Sequence, residues 1–526
     1  MMDLPAWHSH GYGQEHTHGH AHREGHRDGH GHGHGEPEQP HVIAQLGLGE
    51  ILASGEGFRI TEESPGDRIG FSLATSADMN GDGRPEILIG AFNAAAGSGA
   101  SDGGATYVVW GRDGTAPLGL DEVAAGRGGF KILGEAAGDQ AGLGLAGIGD
   151  LNGDGLPEVL VGAGSNGAGG AYAGAAYVVW GKADGTTVRL AEVAQGIGGY
   201  EIQGATERGL AGQGVASVGD LNGDGLPEVV VGAPGENDLY VVWGKTDGAA
   251  VHLADVAAGQ GGFRILAEAP GDNIGRAIAS IGDLNGDGRP EILVGASRND
   301  GGGSDAGAAY VVWGKADGAT VRLADVAQGV GGFKIEGSAT TAVLGEAVAS
   351  IDDLNGDGLP EVLVGAPGGG SPAAALVIWG KGDGATVDTA AVLAGQGGYA
   401  ILKGPVADLA GFKLGTVGDL NGDGLPEVLL SAPYDAAANG PTYLVWGRPD
   451  GSPAELARIA AGMGDGIQFV GEPGQAFSGG AAIGIGDLDG DGRDELLLGE
   501  PAGSTDSSPV SAVYVLYSQA DWIGAA

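Results

Sequence analysis

The sequence predicts an all-β fold, a β-propeller of seven four-stranded blades closed into a ring by an N-terminal strand. Three observations carry that expectation. A nine-residue acidic motif occurs seven times, starting at Asp78, Asp150, Asp220, Asp283, Asp353, Asp419 and Asp487. Successive copies start 72, 70, 63, 70, 66 and 68 residues apart. Four apolar segments return in a fixed order around each copy. Four strands in ~40–50 residues make a propeller blade, and longer connections account for the excess. Seven units fall within the usual four to eight blades.

The elements follow in order. The first segment of each repeat is Phe/Tyr-x-Ile: Phe58-Arg59-Ile60, Phe130-Lys131-Ile132, Tyr200-Glu201-Ile202, Phe263-Arg264-Ile265, Phe333-Lys334-Ile335 and Tyr399-Ala400-Ile401, with Ile467-Gln468-Phe469 as a variant. The second is rich in small residues and precedes the acidic motif, as in Gly70-Phe71-Ser72-Leu73-Ala74. The third follows the motif, as in Ile87-Leu88-Ile89, and is apolar on both faces, which suits a strand buried on both sides. The fourth is Tyr107-Val108-Val109-Trp110-Gly111 and its relatives. Short runs of Val, Ile, Tyr and Trp bounded by Gly and Asp-Gly turns read as strands. A stretch such as Leu190–Gln195 between the fourth segment and the next first segment reads as one peripheral helical turn.

The chain stops soon after a fourth-type strand, Val513–Tyr517, and begins its repeats with a first-type strand, Phe58–Ile60. Were each first-type strand the outer strand of the preceding blade, the last blade would lack one. Residues 57–60 then complete it and remove an open edge that proteins tend to avoid.

The acidic motif itself is Asp-x-Asn/Asp-Gly-Asp-Gly-x-x-Glu. Oxygen-bearing side chains stand at positions 1, 3, 5 and 9, with Gly at 4 and 6. A hard cation such as calcium takes six to eight oxygens, and Gly lets the chain turn tightly around it. An EF-hand would need a bidentate Glu at position 12, where this chain has Ile89, Val161, Val231, Val294, Val364, Leu430 and Leu498. Those residues belong to the next strand, so the motif reads as a strand–loop–strand calcium loop. A hairpin turn alone would explain Asn-Gly-Asp-Gly. It would not demand carboxylates at 1, 5 and 9 in every copy.

Composition agrees. The 526 residues carry a net charge of -43, which argues against nucleic acid and anionic membrane as partners and suits cation binding. The seven motifs hold 23 of the 68 acidic residues. There is no Cys, so disulfides and thiolate metal sites are excluded. No apolar run approaches the ~20 residues of a membrane helix. The N-terminus shows no signal-peptide pattern. Residues 1–50 are expected to be a disordered His-rich tail and 51–526 the propeller. The tail holds eleven of the twelve His between residues 1 and 41 and too few apolar residues for a core. Such imidazole tracts can bind Zn2+ or Ni2+.

These residues resemble the FG-GAP repeats of the integrin alpha-subunit propeller and of bacterial repeat proteins. The carriers are the Gly eight residues before each loop, the seven loops, and Gly-Ala-Pro at 232–234 and 365–367. The resemblance spans about residues 55–520 and implies calcium in the loops between the first and second strands of some blades. Two departures stand out. Position 9 is Glu where the family usually has Asp, and the Phe of Phe-Gly is replaced, as at Ile69-Gly70 and Ala141-Gly142.

The expected ligands follow by position. Position 1 gives the carboxylates of Asp78, Asp150, Asp220, Asp283, Asp353, Asp419 and Asp487. Position 3 gives side-chain oxygens of Asn80, Asn152, Asn222, Asn285, Asn355, Asn421 and Asp489. Position 5 gives Asp82, Asp154, Asp224, Asp287, Asp357, Asp423 and Asp491. Position 7 gives the backbone carbonyls of Arg84, Leu156, Leu226, Arg289, Leu359, Leu425 and Arg493. Position 9 gives Glu86, Glu158, Glu228, Glu291, Glu361, Glu427 and Glu495, as bidentate carboxylates. Asp352, directly before the fifth loop, is at most an accessory.

Catalysis finds no support in the pattern. His252 is the one His in the folded part, in an outer connection where sibling repeats have Arg189 or Arg322. A Ser-His-Asp arrangement would need such a His beside a nucleophile. The expected function is therefore a calcium-binding extracellular or cell-surface interaction and adhesion module, a monomer with a protein or glycan ligand. The alternative is a lectin-like propeller, although the repeated Trp (110, 180, 243, 313, 379, 446) sits inside a strand where packing is its natural role. The C-terminal Trp522–Ala526 is the expected export signal.

Overall fold

The computed structural model describes residues 45–95, 102–404, 409–433, 440–471, 480–501, 511–519 and 522. The His-rich stretch, with its expected Zn2+ or Ni2+ binding, lies outside the described residues. Each repeat folds as its apolar segments dictate. In blade 1 the strands Leu73–Ser76, Glu86–Ala91, Ala105–Val109 and Gly129–Leu133 form an antiparallel meander. Every residue of Glu86–Ala91 is buried, as the two-sided apolar run requires. The fourth strand comes from the first segment of the next repeat, so blades are shared between repeats.

A fifth strand, not expected from the sequence, extends each sheet. It is parallel and, except in blade 6, two residues long: Val188–Arg189 adds to blade 1 beside Ile132 and Leu133. The expected peripheral helical turn follows it directly, as Leu190–Val193, with Leu190 and Val193 buried. Each connection thus touches the previous blade before returning to its own.

The innermost strands stand side by side in a closed order, from Leu73–Ser76 through Gly144–Ile148, Val215–Val218, Ile278–Ile281, Val348–Ile351, Lys413–Val417 and Ala482–Gly486, then back to the first. Among the described residues, seven apolar clusters each span two neighbouring blades. The Trp residues serve these seams. Trp110, Trp180, Trp243, Trp313 and Trp379 lie 5.4–5.8 Å from Phe130, Tyr200, Phe263, Phe333 and Tyr399 respectively, in tilted or edge-on contact.

Backbone approach between blades explains the Gly eight residues before the loops within the described residues. Gly142 has φ +89°, and a Cβ on Gly90 of the preceding blade would stand 2.0 Å from its carbonyl oxygen. Gly162 faces Gly212 at the next seam in the same way. A side chain on either partner would separate the blades.

The N-terminus closes the ring twice. Strand β1 is Gln45–Gly47, helix α1 is Leu48–Ser54 and strand β2 is Gly57–Thr61. As expected, β2 is the fourth strand of the last blade, antiparallel to Ala512–Leu516, with Phe58 opposite Val515. The tail boundary at residue 50 is corrected: β1 pairs in parallel with Gly466–Val470 as the fifth strand of blade 6, and Leu48 and Ile51 are buried at the seam of blades 6 and 7. The reason is geometric. The other blades take their fifth strand from the connection that leads into the next blade's fourth strand, and for blade 6 the stretch leading into β2 is β1 and α1.

Trp522 joins the same closure. It is buried, 6.0 Å from the Phe469 ring, and its Nε1 donates to Glu56 at 2.9 Å. It packs as part of the closing seam; residues 523–526 lie outside the described ones.

Removal of residues 1–44 is expected to leave the melting temperature unchanged. Removal of residues 1–61 takes away β1 and β2, exposes the edge of Ala512–Leu516, and should lower the melting temperature and cause association, because a bare edge templates pairing. Calorimetry with light scattering on the two truncations checks this; equal melting would contradict it.

Candidate metal centres

The seven acidic loops join the first and second strands of every blade, and the antiparallel meander places them all at one end of the ring. Their backbone is fixed by Gly. Positions 4 and 6 adopt left-handed φ in each copy, for example Gly223 at +84° and Gly225 at +89°, with open space around a would-be Cβ. Gly is needed there for conformation, not for room.

The side chains then tie the turn to itself. In the third loop Asp220 accepts from the backbone N–H of Gly223, Asp224 and Gly225 at 2.6, 3.1 and 2.8 Å. Asn222 Oδ1 accepts from Asp224 N–H at 2.8 Å, and Asp224 accepts from Leu226 N–H at 2.9 Å. The same ladder recurs in the first loop through Asp78, Asn80 and Asp82. These bonds aim the carboxylates of positions 1 and 5 into the turn.

The Glu at position 9 differs from the rest, because it begins the fully buried second strand. All seven are 0% exposed. Their carboxylates take two settings. In the loops at Asp78, Asp283 and Asp353 both oxygens serve the backbone. Glu86, Glu291 and Glu361 accept from Gly111, Gly314 and Gly380 at 2.8, 2.7 and 2.7 Å, and from the N–H groups of positions 2 and 3.

In the other four loops the Glu joins a cluster. Asp150, Asp154 and Glu158 each bring an oxygen within 4.8 Å of the others, as do Asp220, Asp224 and Glu228, Asp419, Asp423 and Glu427, and Asp487, Asp489 and Glu495. Oε1 of Glu427 and of Glu495 is buried without a hydrogen-bond partner. A buried carboxylate oxygen of this kind is costly unless something satisfies it. The donors are all hard oxygens, and the set fits calcium. Position 3 is turned differently from expectation. Asn152 and Asn222 direct Nδ2 at the carboxylates of positions 5 and 9, and their Oδ1 is held by the loop backbone.

Positions 2 and 7, which sequence reasoning passed over or assigned to a carbonyl alone, lock the loops into the seams. Position 2 is Met79, Leu151, Leu221, Leu284, Leu354, Leu420 or Leu488, each buried in the cluster shared with the following blade. The signal was an invariably apolar side chain in an otherwise polar loop. Position 7 faces the preceding blade. Leu226, Leu359 and Leu425 pack on its cluster, and Arg289 Nε donates to Leu221 O at 2.8 Å. Asp494 at position 8 of the last loop accepts from Gly418 N–H of blade 6 at 3.0 Å. Asp352 is exposed and lines the central opening with Ser350, Thr416 and Asp494, apart from its own loop's carboxylates. His252 is exposed on the fifth strand of blade 2.

Comparison with known proteins agrees with this geometry. The FG-GAP-like repeat matches residues 150–231, 220–294, 353–430 and 419–498, more than half of the chain. Each match runs from one acidic loop through the next loop's second strand.

The chain belongs to the FG-GAP-like repeat family.

Among curated relatives, integrin alpha pat-2 of Caenorhabditis elegans is 29% identical over 231 residues, 41% of this chain and 17% of the relative. Human integrin alpha-IIb is 30% identical over 224 residues, 41% of this chain and 19% of the relative. Human integrin alpha-7 is 32% identical over 174 residues, covering 32% and 13%. The aligned FG-GAP region thus spans less than a fifth of these relatives.

The FG-GAP loops carry a pH signature. Burial pushes the carboxyls of Glu86, Glu158, Glu228 and Glu291 up to about 7, and those of Glu427 and Glu495 up to about 8, against the lowering effect of backbone N–H groups. Between the unfolded carboxylate range and these values the folded chain holds more protons than the unfolded one. Without divalent cations, the stability these groups contribute is therefore full below the unfolded carboxylate range and is lost as pH rises through about 7–8. Thermal melts in chelator from pH 5 to pH 8 should show a falling midpoint, and excess calcium should flatten the slope. A midpoint that rises with pH in chelator would contradict the burial of these groups.

Proposed function

We propose that this chain is a calcium-stabilised propeller that acts outside the cell or at its surface as an interaction and adhesion module for a protein ligand. The observation that carries the calcium reading is the convergence of three carboxylates, from positions 1, 5 and 9 at Glu427 and from positions 1, 3 and 9 at Glu495, with a buried Oε1 of each Glu that has no hydrogen-bond partner. Positions 1, 3, 5 and 9 would supply side-chain oxygens and position 7 its carbonyl. In the loops at Asp78, Asp283 and Asp353 the Glu would first turn away from Gly111, Gly314 or Gly380. Bound calcium supplies two positive charges to a group of carboxylates that otherwise repel one another.

The extracellular setting is supported by affinity logic. Loops built this way fill at millimolar calcium and stay largely empty at cytosolic levels. The interaction reading rests on family membership and on the integrin alpha relatives. The Trp residues pack in the blade seams, which removes the obvious stacking platform for a sugar.

Calcium should raise the melting temperature in proportion to the number of filled loops, each adding ~2.7 kcal/mol at a concentration of 100 Kd. Asp220→Ala is expected to lower the calcium stoichiometry by one in titration calorimetry while the remaining loops fill normally. A melting temperature indifferent to both chelator and calcium would overturn the metal reading. For the ligand, capture of defined extracellular proteins in calcium is expected, with no specific retention on a glycan array; the reverse pattern would favour a lectin.

A further inference from the structure

Among the described residues, six of the seven blade seams share one device that the seventh lacks. At each of the six, a basic side chain just after the third strand of one blade lies over the fourth-strand aromatic ring of the blade before it. Lys245 of blade 3 lies over Tyr200 of blade 2 at 4.7 Å. Arg112, Lys182, Lys315, Lys381 and Arg448 do the same at the other five, at 4.6–6.0 Å. The face of an aromatic ring attracts a cation, so each of these seams is bridged from blade to blade. Where blade 7 meets blade 6 the two positions hold Gln519 and Ile467, and the bridge is missing.

Other departures gather in blade 7 beside the same seam. Its loop has Asp494 at position 8, where the other loops have Pro, and Ser518 stands where the other blades have Gly after the third-strand Trp. Those two changes belong together: a Cβ on Gly380 or Gly447 would stand 2.3 Å from the carbonyl oxygen of Pro360 or Pro426. The apolar filling of the seam comes from Leu48 and Ile51 of α1 and from Trp522, packed against Phe469.

The acidic loops on either side of this seam are the two with an open buried oxygen. Glu427 of the sixth loop and Glu495 of the last loop are 0% exposed, and each keeps an Oε1 without a hydrogen-bond partner. The sixth loop fills the seam with its position-2 side chain, Leu420. The last loop reaches across it, where Asp494 accepts from the N–H of Gly418, the residue before Asp419, at 3.0 Å. The cluster of Asp419, Asp423 and Glu427 is thereby joined to the cluster of Asp487, Asp489 and Glu495.

We infer that the seam between blades 6 and 7 is a calcium-controlled closure: cations in the sixth and last loops hold it in place of the missing cation–ring bridge, and their loss opens the ring there first. The inference rests on the calcium binding proposed above. Without metal, carboxylates repel one another on both sides of this seam, and two buried oxygens stay unsatisfied. A cation that binds only the closed arrangement stabilises it by mass action. The other six seams keep their bridges whether or not calcium is present.

The chain has no Cys, so one introduced thiol reports on one seam. Ile51→Cys places it between blades 6 and 7, and Val256→Cys places it at the equivalent buried point between blades 2 and 3. With a maleimide, Ile51→Cys is expected to be shielded in calcium and labelled fast in chelator, and Val256→Cys to be shielded in both. Adding Asp419→Ala and Asp487→Ala together should leave the Ile51→Cys thiol reactive even in calcium; adding Asp220→Ala should not. Equilibrium dialysis of calcium on the unmodified chain separates the two readings. A chain that binds no calcium overturns the proposed function and this inference with it. A chain that binds calcium while Ile51→Cys is labelled equally with and without it overturns this inference alone. So does a Val256→Cys thiol that opens as readily, or a paired loop variant that stays shielded in calcium. Where circular dichroism shows a variant misfolded, hydrogen exchange of Leu48–Ser54 against Leu253–Ala257 in the unmodified chain, in calcium and in chelator, decides.

Discussion

The burial of one carboxylate per blade is the constraint on which the ring depends. The position-9 Glu starts the second strand, where every neighbour is apolar, yet it must stay there. Its oxygens hold N–H groups of its own loop and, in blades 1, 3, 4 and 5, the N–H of the Gly after the third-strand Trp or its equivalent. That residue therefore fixes the acidic turn against the end of the sheet. The adjoining position-2 side chain, such as Leu221, then fills the seam to the next blade. Loop conformation, blade packing and ring closure are one coupled system. The length of Glu suits this role, since its side chain reaches the Gly N–H from the strand.

Much of the fold was legible because its signals repeat. A two-sided apolar run after each acidic motif demanded a buried strand, and Glu86–Ala91 is one. The missing partner of Val513–Tyr517 identified Phe58–Ile60 as the closing strand, and Phe58 does lie opposite Val515. The fifth strands were not legible. Two residues such as Val188–Arg189 have no periodicity, and only the position of the preceding blade makes them a strand. For the same reason Gln45–Gly47 and the first turn of Leu48–Ser54 read as tail: each is too short to announce itself without the blade it completes.

The candidate site divides in the same way. The ligand positions could be read from residue type, because Asp, Asn and Glu at fixed spacing leave few alternatives. Their settings could not. Whether Glu86 faces Gly111 or its loop depends on side-chain rotation about a buried strand, which no sequence pattern encodes. The inward Nδ2 of Asn152 likewise depends on where its Oδ1 is already used.

Hydrogen exchange of the loop amides, read by mass spectrometry in calcium and in chelator, tests the coupling directly. The account predicts that chelation speeds exchange at residues 221–225 and at Gly244 together, while Val229–Val231 stay protected. Local opening of few-contact segments is visible in this way. Exchange in the loops that is the same with and without calcium, or that changes without Gly244 following, would contradict the claim that the buried Glu links cation, loop and blade.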